Sequence, residues 1–153
     1  MRGTTRDPSR LAEIEAAGAE AALGDPDRVA TLMGALEQVA VVCILLGSAT
    51  GSPEQLRALH GTRLEMLLTK LVDTTVRGLV YEEQGPVDAD ALASGAERVR
   101  RFADRSLVRA TLLKADPGRT EEWLSAALAA VDRAIAPRVR TAEHLDADSR
   151  AVD

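Results

Sequence analysis

The chain has 153 residues, of which 46% are apolar, 28% charged and only 2% aromatic, with a formal net charge of −5. That length and apolar share allow one domain with its own core and exclude an intrinsically disordered chain. The acidic balance argues against nucleic acid or an anionic membrane as the main partner. A single cysteine, Cys43, excludes an internal disulfide or a cysteine-based metal cluster.

In chain order, the opening Met1-Arg2-Gly3-Thr4-Thr5 lacks the apolar stretch of a secretory leader, so a cytoplasmic location is expected and residues 1–8 are read as a disordered N-terminus. Pro8, Pro26, Pro53, Pro86 and Pro117 each precede helically spaced apolar residues. Proline suits a first helical turn, where its missing N–H would have no partner, and an Asp or Ser ahead of it can cap the turn. Five helices follow from this punctuation. The first, over 9–23, carries a thin stripe of Leu11, Ile14 and Leu23. The second, over 27–47, is amphipathic through Val29, Leu32 and Leu36 and apolar all round from Val39 onward. Glu37 and Gln38 interrupt it, and the remaining apolar run 39–46 is far shorter than the roughly 20 residues of a membrane span.

Gly47-Ser48-Ala49-Thr50-Gly51 is a flexible connection, after which Ser52 and Gln55 form a capping box around Pro53. The third helix is expected over 53–83, with Leu56, His60, Leu64, Leu67 and Leu71 on one face. The fourth spans 89–114 through Leu92, Ala96, Val99, Ala103 and Leu107. The fifth begins at Thr120 and runs through Leu124, Leu128, Val131 and Ile135 to a kink at Pro137. Neither alternating strand patterns nor Asn-Gly hairpin turns occur. The expected fold is therefore all-α, an up-and-down antiparallel bundle of about five helices forming one domain over 9–145, followed by a disordered tail over 146–153.

Candidate functional residues are few. His60 faces the expected interior and could act as a general base, with Glu37 its nearest candidate partner; a histidine satisfied by a hydrogen bond in the core is the plainer alternative. The seventeen arginines include Arg98, Arg101, Arg105 and Arg109 at helical spacing; with Arg63 they could bind an anionic ligand, or simply be a solvated face. No Glu-x-x-His, glycine-rich phosphate loop or nucleophile elbow is present, so neither a metal nor a cofactor is expected. The all-round apolar run nominates Val39, Val42, Leu45 and Leu46 as an oligomer interface. These residues suggest a non-enzymatic, self-associating helical module that binds a small anionic molecule or an acidic protein partner. The alternative is a small metal-independent helical enzyme acting on an anionic substrate through His60 and Glu37.

Overall fold

The computed structural model describes residues 1–136, and it is an α/β protein. Five strands form two parallel sheets: β1 (Arg2–Thr5) pairs with β2 (Glu20–Leu23), and β3 (Val41–Ile44), β4 (Gly78–Glu82) and β5 (Arg109–Leu113) pair in that order. The helices are α1 (Leu11–Ala16), α2 (Pro53–Ala58), α3 (Leu64–Leu71), α4 (Ala89–Arg105) and α5 (Thr120–Ile135).

The all-α bundle is thus corrected, and the buried central strand β4 shows the reason most plainly. Each of the first four expected helices ends in a strand: 9–23 in β2, 27–47 in β3, 53–83 in β4 and 89–114 in β5. A strand inside a parallel sheet is covered on both faces, so it reads as an unbroken apolar run without alternation. Placed directly after an amphipathic helix, such a run looks like more helix, because periodicity cannot separate a short buried strand from a buried helical turn. Residues 27–40 hold only 3-10 turns, Val29–Leu32 and Gly34–Leu36. Residues 2–5, expected to be disordered, are β1. The fifth helix forms as expected to Ile135; its continuation past Pro137, His144 and the tail 146–153 lie outside the described residues.

Proline punctuation worked where the cap was complete. Ser52 accepts from the Gln55 N–H, the Gln55 side chain accepts from the Ser52 N–H, and Pro53 occupies the first turn of α2. Asp7 caps the short turn at Pro8, and Asp88, two residues after Pro86, caps α4 through the Ala91 N–H.

The three-stranded sheet carries the core. Leu79 and Tyr81 on one face pack with Ile44, Leu64, Leu67, Leu68, Leu71, Ala96 and Val99. Val80 on the other packs with Leu113, Ala130 and Ala134 beneath α5. All five residues of β4 are buried, and each buried aliphatic side chain contributes about 1.5–3 kcal/mol.

Candidate functional site at the carboxyl ends of the strands

Both sheets run the same way. Arg2, at the start of β1, donates to the carbonyls of Ala35 (2.9 Å) and Glu37 (3.3 Å), just ahead of β3. The Ala40 carbonyl in turn accepts from the N–H of Gly78 at the start of β4 (3.0 Å). The amino ends therefore share one end of the molecule, and the carboxyl ends of β1, β3 and β4 share the other. In open α/β sheets that carboxyl end is where ligands bind, at the point where strand order reverses.

Here the reversal falls between β1 and β3. The chain runs outward from β1 to β2, returns to β3, and proceeds through β4 to β5. Among the described residues β1 pairs only with β2, and β3 only with β4. Two parallel sheets that run outward in opposite directions from β1 and β3 resemble the doubly wound arrangement, in which strand order reverses at one point.

Four groups converge on the carboxyl end. Thr5 ends β1, and the exposed Arg6 follows it, its guanidinium 3.9 Å from the Asp27 carboxylate. Arg10 follows one turn later, paired with Glu13 at 3.1 Å. After β3 come Leu45, Leu46 and Gly47; after β4 come Glu83, Gln84 and Gly85. A groove of about 290 Å³ lies among Gly51, Leu56, Arg57 and Asp88 where the β3 and β4 exits enter α2 and α4.

The β3 exit is held from several directions. Buried Glu82 accepts from the Gly47 N–H through Oε2 (2.7 Å) and from the Trp123 indole N–H through Oε1 (2.7 Å). The Gly47 carbonyl accepts from the Val87 N–H (3.0 Å). Gly85, with φ of 153°, lies so close to Gly47 that a Cβ on either residue would collide with the backbone of the other loop.

His60 is the buried histidine expected from its spacing, 1% exposed. It sits in a five-residue π-turn, Leu59–Arg63, that links α2 to α3. Its Nδ1 shares a 2.7 Å hydrogen bond with the Tyr81 hydroxyl, which lies 3.3 Å from the Leu92 carbonyl. Burial holds the imidazole below its ordinary range; the Leu46 backbone beside it works the other way without completing a bond at Nε2. Burial likewise raises the Tyr81 hydroxyl, with the Glu83 charge adding to it.

Glu37 does not join His60. It ends the 3-10 turn before β3, while His60 lies beside Leu46 after it, so β3 separates the pair. The arginine row is divided too. Arg98 reaches Ser94 and Glu65, Arg100 and Arg101 pair with Glu97, and Arg100 also reaches Glu83. Arg105 ends α4, whereas Arg109 starts β5 and lines a cleft of about 260 Å³ with Arg77 at the amino ends of the strands. Arg63 closes the π-turn and is exposed. Val39, Val42 and Leu46 pack partly into the core, and Leu45 remains 42% exposed.

Sequence reasoning missed Thr5, Arg6, Gly47, Tyr81 and Glu82. The available signal was a repeated order: an apolar run, then a glycine, then a capped helix. It occurs at 41–53 and again at 78–89.

The fold defines an open, doubly wound α/β protein of the Rossmann-like type. No protein-family model matches the chain, nor does any curated protein. Two solved structures of triphenylmethane reductase from Citrobacter sp. are similar to it. One, complexed with NADP(H), aligns with a TM-score of 0.56 at 15% identity, over 74% of this chain and 39% of its own. The other, concerned with bioremediation of triphenylmethane dyes, aligns with a TM-score of 0.56 at 17% identity, over 74% and 38%. This chain thus spans less than two fifths of either reductase's length. The likeness is one of fold, and with the strand order it overturns the reading as a self-associating helical-bundle module and, with it, that of an enzyme working in a bundle pocket. No helix among the described residues is long and apolar enough to cross a membrane.

Proposed function

We propose that this chain is a dinucleotide-binding portion of an NADP(H)-dependent reductase-like protein. The observation that carries the reading is the reversal of strand order between β1 and β3, with Thr5 and Arg6 at the carboxyl end of one strand and Gly47 at the end of the other. In doubly wound sheets an arginine at the carboxyl end of a strand beside the reversal can accommodate the 2′-phosphate that distinguishes NADP from NAD. Arg6 holds that place, and its 3.9 Å approach to Asp27 leaves most of its donors open.

The residues fit the cofactor unevenly. Arg6 and Arg10 suit the adenosine phosphate, and the neutral β3 exit suits an uncharged portion of the ligand. The glycine-rich turn that cradles a pyrophosphate does not occur in this sequence. When bound, NADP(H) would supply hydride-transfer chemistry; the contribution of these residues is to bind and orient its adenosine end.

The test is titration with adenosine 2′,5′-bisphosphate, followed by amide chemical shifts. Shifts should concentrate at Thr5, Arg6 and Gly24, whose N–H donates to the Thr5 carbonyl (2.9 Å). Adenosine 5′-monophosphate should bind about ten-fold more weakly, and Arg6→Ala should abolish that difference. No saturable shift, or shifts confined to the Arg77–Arg109 cleft, would sink the reading.

A further inference from the structure

Glu82 is an unusual residue to find at the end of a buried strand. It is 3% exposed, forms no ion pair among the described residues, and gives each carboxylate oxygen to a different neutral donor. Those donors lie far apart in the chain: the Gly47 N–H at the β3 exit and the Trp123 indole in the first turn of α5. Burying a carboxylate without a cation is costly unless its hydrogen bonds are fixed. An apolar residue here would leave the buried Gly47 N–H and the part-buried Trp123 indole N–H unpaired.

The Gly47 N–H sits at the end of the sheet where ligands approach, and a free N–H there would attract an anion. Glu82 occupies it from inside. Gly85 packs so close that a Cβ on it would collide with the Gly47 backbone, and the Val87 N–H holds the Gly47 carbonyl.

We infer that Glu82 is a positioning residue, which clamps the Gly47 turn in one conformation against α5 and so presets the β3 bank of the nucleotide site. The inference rests on the nucleotide reading for its ligand, but the clamp can be read without one. A glutamate is required because it offers two acceptor oxygens to two donors. A glutamine offers one, and suffices once one donor is removed.

The experiment therefore compares two double variants, Glu82→Gln with Trp123→Phe and Glu82→Met with Trp123→Phe. Both lose the indole bond, and only the first keeps an acceptor for Gly47. Hydrogen exchange of the Gly47 amide should stay within about three-fold of the wild type in the first and accelerate about ten-fold or more in the second. NADP+ affinity, measured by calorimetry, should follow the same order. Equal Gly47 exchange in the two variants overturns the clamp. Faster exchange with unchanged NADP+ affinity overturns its role in positioning ligand. A wild type that binds no NADP+ removes the nucleotide reading and leaves the clamp to be judged by exchange alone. Should the methionine variant not fold, Glu82→Asp replaces it, since its carboxylate is one methylene short of the two donors and should likewise speed Gly47 exchange.

Discussion

The two parallel sheets differ in how firmly they are held. In β4 every residue is buried, and Leu71, Leu79 and Tyr81 beside and within it have no exposed surface. In the β1–β2 pair no residue is fully buried, α1 buries none, and Arg2 does much of the anchoring through carbonyls ahead of β3. A sheet with helices on both faces supplies stability, whereas a half-covered pair holds residues in place at the ligand end without contributing much to the core. Thr5 and Arg6 belong to the second kind, and Glu82 to the first.

The largest expected effect tests that division directly. Leu79→Ala should cost about 2–5 kcal/mol, as for other fully buried leucines, while Ile14→Ala, in the half-exposed pack of α1 on Gly3, should cost about 1 kcal/mol. Urea unfolding followed by circular dichroism would measure both. Similar losses would mean that the two sheets share one core after all.

A smaller effect concerns His60. The fold favours its neutral form, so the unfolded chain binds the extra proton. The stabilisation is complete above the ordinary histidine range, about pH 6.5, and is lost as pH falls through the depressed folded value. The urea midpoint of the wild type should therefore drop between pH 7 and pH 5.5. His60→Gln should start lower and change less across that interval. A parallel decline in both proteins would show that other groups set the pH dependence.

The smallest lies at the turn into β3. Gln38 has a φ of 60°, the left-handed region that side chains other than glycine and asparagine occupy at a cost. Gln38→Gly should stabilise the protein by up to about 1 kcal/mol, read as a higher melting temperature. A loss of stability would show that the Gln38 side chain makes a contribution larger than the backbone relief.

Much of the local structure was legible in the sequence. The capping box at Ser52 and Gln55, the fifth helix from Thr120 and the burial of His60 follow from short-range chemistry, which operates within a turn or two of the residues concerned. The strands were not legible. Leu79-Val80-Tyr81 is apolar on both faces because both are covered, and Val41-Val42-Cys43-Ile44 is apolar throughout although Cys43 is exposed, so neither carries a period to distinguish it from buried helix. The candidate site was hidden for the same reason. Glu82 looked like one charge at the end of a long helix, and only its place at the end of β4 brings it to Gly47 and Trp123.

The sequence by itself determined where turns and caps fall, which side chains are apolar enough to be buried, and that a single cysteine makes no internal disulfide. Tertiary structure alone decided that four of the apolar runs become parallel strands and that β1 and β3 bring Arg6 and Gly47 to the same end of the molecule. The physical reason is range: caps and turns are settled by neighbours in sequence, whereas a parallel ladder is settled by partners tens of residues away, whose hydrogen bonds no local pattern records.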